Sequence, residues 1–358
     1  MRILVNDIAA TTDTGGAFTI LSELYAGAKE NLDNIEWIFL TGDTHFKSAK
    51  NIRVIPYPDI KKSWIKRLWF DLFSGKFLIN KLRPDVYISM QNTATLGVLA
   101  KQIVYLHQSL PYQKTKRYSF FKKSEFKYAI YQNIIGYIIN FLLKKTKASV
   151  IVQTKWMQKN LMEKHVVEED KIEVIPPSIP SDLIKIGKNN NIMRTFFFPA
   201  SSELYKNHKV IYQAVNRLKE KGYKDFSVIL TINQPDYISK EDYPEIIFSG
   251  YIPRNKVLDE YTKSVLLFPS YIETFGLPLL EARLAQSIII AADTEFAKEI
   301  LTQYTNSYFF NYWDHKKLAD LMAKVLDNKI RKSRIVTNSS GRVTHMNLVS
   351  YLISRTKG

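Results

Sequence analysis

The chain has 358 residues, enough for two domains of ordinary size, and its 46% apolar and 24% charged content is that of a folded globular protein rather than a disordered one. With no cysteine, disulfides, thiolate metal sites and a cysteine nucleophile are excluded. The net charge of +17 suits nucleic acid, anionic lipid or phosphorylated substrates as partners, and solvated lysines are the plain alternative.

In chain order, Met1–Asn6 is one short apolar run that stops at Asp7 and reads as a core strand, not as a signal peptide. Thr14-Gly15-Gly16-Ala17 follows and precedes an expected helix over Ala17–Asn31. Paired glycines there would let the backbone approach a phosphate, but a simple turn explains them equally well. Strand-like runs continue at Trp37–Leu40, Arg53–Pro56, Val86–Ser89, Ile103–Leu106 and Val150–Gln153, with a helix expected at Lys155–Lys164. His107 stands just past one of these strands, where a histidine can hydrogen-bond a ligand or serve the structure alone.

Two stretches concentrate basic and aromatic residues. Lys61–Trp69 carries two tryptophans among its lysines. Lys114–Lys127 carries six cations and one acid interleaved with Tyr118, Phe120, Phe121 and Phe126. This mixture fits an anionic membrane surface, where rings sit at the headgroups and lysines meet lipid charge. No repeat, zinc-finger spacing or RNA-recognition aromatic motif supports nucleic acid, so it is not expected as a partner. Tyr128–Leu143 is about 16 residues long and includes Gln132, Asn133 and Asn140. It is too short and too polar to span a bilayer, which takes roughly 20 apolar residues, and reads as a buried or interfacial helix.

Ile175–Ser181 is proline-rich and Lys185–Asn191 is asparagine-rich, which places a linker near residue 187. A second strand series follows at Thr195–Phe198, Ser227–Thr231, Ile246–Ser249, Val265–Phe268 and Ser287–Ala291, with helices expected at His208–Lys221 and Lys256–Lys263. The alternation predicts α/β architecture: two Rossmann-like, doubly wound parallel-sheet domains that face a cleft. The expected limits are 1–186 and 187–340. A helix is expected to follow over 341–358.

Lys206-Asn207-His208 opens a helix of the second series. The lysine could neutralise a diphosphate or be an ordinary surface lysine. Ser270-Tyr-Ile-Glu-Thr-Phe-Gly-Leu-Pro-Leu-Leu-Glu-Ala282 then sets Glu273 eight residues before Glu281. On one continuous helix these would be rotated by roughly 80°. Gly276, Leu277 and Pro278 instead predict a bend and a helix start between them, so both carboxylates can serve one ligand at a helix N-terminus, which suits a phosphate. A compound with hydroxyls and phosphates, such as a nucleotide sugar, answers to that pattern. No metal-ligand spacing or serine-nucleophile elbow stands out, and Asp13, Asp43 and Asp293 are scattered loop acids.

Together these residues resemble glycosyltransferase family 4, the retaining nucleotide-sugar enzymes of glycosyl transferases group 1 with the GT-B fold. Pro269–Ala282 resembles its paired-glutamate motif, Tyr205–His208 its diphosphate-binding lysine segment, Phe248–Ile252 the strand and loop that hold the nucleobase, and Gly15-Gly16 its glycine loop. Many members place an arginine five residues before the lysine, where Ser201 stands here. The resemblance implies that Glu281 binds ribose, that Glu273 contacts the transferred sugar, and that the backbone around Phe275, Gly276 and Leu277 holds the diphosphate with Lys206. It further implies donor contacts from Gly15, Gly16, Ser201, Tyr251 and Ile252, and a catalytic group of Glu273, His107 and Lys206. It also implies an acceptor-binding role for 1–186, a nucleotide-sugar-binding role for 187–340, and a helix over 341–358 that returns to the N-terminal domain.

The expected activity is metal-independent, retaining hexosyl transfer with no cofactor beyond the nucleotide-diphosphate sugar, a UDP-sugar being mildly favoured over a GDP-sugar. The expected acceptor is a lipid-linked saccharide in bacterial polysaccharide (O-antigen, capsule or exopolysaccharide) synthesis. Its expected location is cytoplasmic and peripheral, at the inner face of the plasma membrane. The alternatives are a catalytically silent nucleotide-sugar-binding or scaffolding subunit, or another GT-B activity such as a nucleotide-sugar epimerase.

Overall fold

The computed structural model describes residues 1–10, 16–30, 34–61, 63–177, 193–239, 241–333 and 348–354. Two compact units form, one from residues 1–177 with 344–358, the other from 178–343. The expected boundary near 187 and the expected start of the terminal segment at 341 lie outside the described residues.

The first unit carries a seven-stranded sheet. Its strands are β1 (Arg2–Asp7), β2 (Glu36–Thr41), β3 (Ile52–Pro56), β4 (Val86–Ser89), β5 (Lys101–Tyr105), β6 (Ser149–Val152) and β7 (Ile172–Val174). Their order is β3-β2-β1-β4-β5-β6-β7, every pairing parallel. The second unit has six strands: β8 (Thr195–Phe198), β9 (Ser227–Leu230), β10 (Ile246–Phe248), β11 (Val265–Phe268), β12 (Ile289–Ala292) and β13 (Ser307–Phe310). They run β10-β9-β8-β11-β12-β13, again all parallel. Each strand expected from the sequence is present; β7 and β13 are additional.

Strands such as β4, β11 and β12 are buried at every residue, which is why they read as continuous apolar runs rather than alternating ones. The topology has one consequence for function. In each sheet the chain order reverses direction at one place, between β1 and β4 in the first unit and between β8 and β11 in the second. Loops leaving the carboxyl ends of such strands diverge and open a crevice that ligands occupy.

Two helical stretches of the first unit contain π-helical turns. Trp64–Trp69, Phe70–Ser74 and Gly75–Leu82 run on without a break, the middle piece being π-helical, and Phe126–Ala129, Ile130–Ile135 and Gly136–Thr146 repeat the arrangement. Along 64–82, Ile65, Trp69, Phe73 and Phe77 are exposed, whereas Phe70, Asp71 and Ile79 are buried. A four-residue spacing drifts round an α-helix by about 40° per step. The wider π turn absorbs the extra residue, so the four apolar side chains stay on one side. The Trp69 and Phe73 rings lie 4.4 Å apart between centroids.

The helix Leu348–Ser354 belongs to the first unit and packs on the helix Gly16–Glu30. The fit is close. A Cβ on Gly27 would stand 2.6 Å from Cγ2 of Val349, so glycine there lets the two helices approach. Tyr351 and Leu352 enter the core built around β1, β2 and β4.

Candidate functional site

The reversal between β8 and β11 brings two loops side by side. The loop after β8 holds Ser201 and runs through a 3-10 turn, Leu204–Lys206; the loop after β11 holds Ser270 to Gly276. Tyr271 N donates to Tyr205 O at 3.1 Å, and the Asn207 side-chain amide donates to Tyr312 O at 2.7 Å and Pro269 O at 3.4 Å. Asn207, at the N-terminal boundary of the helix His208–Glu220, adopts a left-handed conformation, φ 63°, while its amide ties three loops together.

Between these loops, Lys206 Nζ donates to Glu273 Oε1 at 2.5 Å, both side chains largely enclosed. Beside them Gly276 caps the helix Leu277–Leu284 at φ 90°, with Pro278 in its first turn. A Cβ on Gly276 would meet Phe268 and Leu279 at 3.3 Å, so both its conformation and its space favour glycine. The expected bend and helix start therefore stand where the motif placed them, and Phe275 is buried beneath the turn.

Glu281 lies one turn into that helix and is almost fully buried. Its Oε2 accepts from the Tyr261 hydroxyl at 3.0 Å, and its Oε1 pairs with Arg254 Nη2 at 2.8 Å. Burial raises the Glu281 pKa, and Arg254 and then the Tyr261 hydrogen bond oppose the rise. The two glutamates thus have separate cations, Lys206 for Glu273 and Arg254 for Glu281. Neither Arg254 nor Tyr261 was a sequence candidate. No short-range pattern links Arg254 to Glu281, and the only signal was a lone arginine after Pro253 at a helix start.

Among the other expected donor residues, Ser201 and Tyr251 are exposed, and Ile252 is half-buried. Gly16 is exposed as the first residue of the helix Gly16–Glu30, and Gly15 lies outside the described residues.

In the first unit the loops after β4 and β5 meet at His107. Its backbone N–H donates to Asn92 Oδ1 at 2.8 Å, and its Nε2 lies 3.4 Å from Asn92 Nδ2. Burial lowers the imidazole pKa to about 4, so His107 is neutral at pH 7. Nearby, Asp71 on the π turn accepts from the hydroxyls of Thr93 (2.5 Å) and Thr95 (2.7 Å).

Of the two basic-aromatic stretches, Lys62 and the side chain of Lys61 lie outside the described residues. Trp64 and Trp69 are exposed, as are Phe120, Phe121 and Phe126, while Tyr118 is buried against Tyr128. Part of the charge is used internally: Lys114 pairs with Glu163, and Lys116 and Lys122 lie 3.1 and 3.9 Å from Glu125. Among the described residues no helix is long and apolar enough to cross a membrane, and no three acidic or histidine side chains gather as a metal site.

Residues 182–342 match the family model of glycosyl transferases group 1. No curated protein matches the chain in sequence. Among solved structures, sucrose-phosphate synthase from Thermosynechococcus elongatus aligns over 100% of this chain and 98% of its own, with TM-score 0.70 and 14% identity. Anabaena Alr3699/HepE in complex with UDP-glucose aligns over 100% and 99%, with TM-score 0.69 and 14% identity. WaaG, a glycosyltransferase involved in lipopolysaccharide biosynthesis, aligns over 93% and 92%, with TM-score 0.69 and 12% identity. The chain has the two-sheet α/β fold of these GT-B proteins.

Proposed function

From a second unit that matches glycosyl transferases group 1, we propose that the chain is a retaining glycosyltransferase that takes a sugar from a nucleotide-diphosphate donor. The observation that carries this reading is the Lys206–Glu273 pair beside the N-terminus of the helix Leu277–Leu284, at the point where the second sheet reverses. A cation and a set of helix-terminal N–H groups suit a diphosphate; a neighbouring carboxylate suits sugar hydroxyls.

In this reading Glu281 receives the ribose hydroxyls, Glu273 the hydroxyls of the transferred sugar, and Tyr251 with Ile252 flank the nucleobase. Lys206 and the backbone N–H groups of Phe275, Gly276 and Leu277 hold the diphosphate, with Ser201, Gly15 and Gly16 as further donor contacts. The bond from the anomeric carbon to the diphosphate oxygen breaks, its electron pair leaving with the phosphate. Lys206 and the helix terminus stabilise that growing negative charge without a metal or other cofactor. The acceptor hydroxyl adds to the same face of the oxocarbenium-like carbon, and its proton passes to the departing phosphate oxygen. His107, neutral at pH 7, serves as a hydrogen-bond partner rather than a charged group.

The donor reading draws on Anabaena HepE, which is described in complex with UDP-glucose, and a UDP-sugar is mildly favoured. The acceptor is a lipid-linked saccharide of bacterial polysaccharide synthesis, reached at the inner face of the plasma membrane. Support comes from the exposed Ile65, Trp69, Phe73 and Phe77 of the helical stretch 64–82, with Lys66 exposed next to Ile65 and Lys76 over the Phe77 ring, and from WaaG, described as a glycosyltransferase involved in lipopolysaccharide biosynthesis.

The test is a panel of UDP-, GDP- and ADP-sugars with saccharide acceptors and product analysis. One donor should give transfer with anomeric retention, and Glu273→Gln should lower turnover at least about a hundredfold. Undiminished turnover in that variant, or transfer from none of the donors, would overturn the proposal.

A further inference from the structure

We infer that Arg254 is a positioning residue that holds Glu281 ionised and aimed at the donor ribose; the inference rests on the ribose role proposed for Glu281. A carboxylate this deeply buried, with only 6% of its side chain exposed, favours its neutral form. As a neutral acid it would present one O–H donor and give up one of its roughly four acceptor sites. Arg254 supplies the opposing charge from 2.8 Å and Tyr261 a hydroxyl from 3.0 Å, one on each oxygen.

That division matters for geometry. Each carboxylate oxygen has two lone pairs, so Oε1 and Oε2 each keep one for an incoming hydroxyl after their protein partners are satisfied. Two vicinal hydroxyls of a ribose match two such oxygens. The partners also stop the side chain from rotating, since turning it would break both contacts. Arg254 and Tyr261 bracket the helix Arg254–Glu260, so one short element presents the cation and the hydroxyl together. Arg254 is 38% exposed, so its removal leaves the packing around Glu281 in place, whereas Tyr261 is buried.

The experiment measures equilibrium binding of UDP and GDP, and of their 2′,3′-dideoxy counterparts, to the full chain. The wild type should prefer the ribose form of its nucleotide about tenfold or more, as expected for hydrogen bonds to a charged group. Arg254→Gln should bind the ribose form more weakly and the dideoxy form nearly as before, so the preference falls below about threefold. Arg254→Lys, which restores the charge, should keep more of the preference than Arg254→Gln. Tyr261→Phe, which keeps the ring and removes one contact, should lose part of it.

An Arg254→Gln protein with the full ribose preference, alongside a Glu281→Gln protein that has lost it, would overturn the inference and leave the ribose role standing. Equal losses for the ribose and dideoxy forms would also overturn it, placing Arg254 on the phosphates or in the fold. A wild type with no ribose preference, or with no affinity for either diphosphate, would remove the ribose role itself and this inference with it.

Discussion

Lys206 Nζ and Glu273 Oε1 lie 2.5 Å apart although 67 residues separate them in the chain. The reversal of strand order between β8 and β11 makes them neighbours, because their loops leave adjacent parallel strands at the same end of the sheet. Each is less than one-fifth exposed, so the pair is only weakly screened.

Removing one partner should therefore cost more than removing both. Lys206→Ala leaves an enclosed carboxylate without its cation, and Lys206→Ala combined with Glu273→Gln relieves that charge. In urea unfolding the double variant should be more stable than the sum of the single losses by about 1–3 kcal/mol. Strictly additive losses would show that the pair contributes no coupling. In activity the order reverses, since both variants lose a group proposed to contact the donor.

Packing of the terminal helix gives a second prediction. Gly27→Ala places a methyl 2.6 Å from Cγ2 of Val349 and should destabilise the protein by about 1–3 kcal/mol. Adding Val349→Ala should restore part of the loss by making room. Thermal melts of the two variants check this, and a second substitution that deepens the loss would contradict the contact.

Asp7 predicts a pH dependence of stability. It ends β1 with Oδ1 accepting from Ala10 N, while Oδ2 has no hydrogen-bond partner among the described residues. Burial raises its pKa to about 8, against an ordinary carboxylate value of 3.8, and burial likewise raises Asp71 to about 7. Near neutral pH the folded chain holds protons that the unfolded chain has released, so stability falls as pH rises from about 4 towards these values. His107 and His208, both lowered to about 4 by burial, act oppositely between about 4 and 6.5, where only the unfolded chain binds their protons. The two effects offset each other below pH 6.5. Above it only the aspartates of these four groups still titrate, and stability should decline towards pH 8. Asp7→Asn should flatten that decline by up to about 2 kcal/mol, read from urea midpoints between pH 6.5 and 8. An unchanged slope would refute the assignment.

The exposed side of the stretch 64–82 predicts membrane binding with a defined geometry. Trp69→Ser combined with Phe73→Ser should weaken binding to anionic phosphatidylglycerol vesicles at least about tenfold, because both rings leave the bilayer interface. Lys66→Gln should reduce binding at low salt and have little effect at high salt. Flotation in which the wild type ignores anionic vesicles at low salt would count against the surface.

Most of the fold was legible because strands buried on both faces announce themselves as apolar runs, and β8, with Phe196, Phe197 and Phe198 all buried, is an example. β7 and β13 were harder to see. Ile172–Val174 has three residues and a central glutamate, and Ser307–Phe310 begins on a polar residue at a sheet edge. The π turns left no mark in the sequence, since Phe70–Ser74 and Ile130–Ile135 have ordinary helical compositions. The basic stretch 114–127 promised more free charge than it presents, because Glu125 and Glu163 take up several of its lysines.

For the site, the sequence alone determined what lies close along the chain. Gly276 and Pro278 dictate a bend and a helix start through backbone geometry, so the positions of Glu273 before the turn and Glu281 within the helix follow from local physics. Only the tertiary structure decided which cation each glutamate receives. The Lys206–Glu273 pair depends on the strand order of the sheet, and the Arg254–Glu281 pair on how the fold brings the two ends of the helix Arg254–Glu260, Arg254 and Tyr261, to Glu281. Such contacts form between segments far apart in the chain, where no periodicity or spacing carries over, and they set the charge and the aim of the two carboxylates.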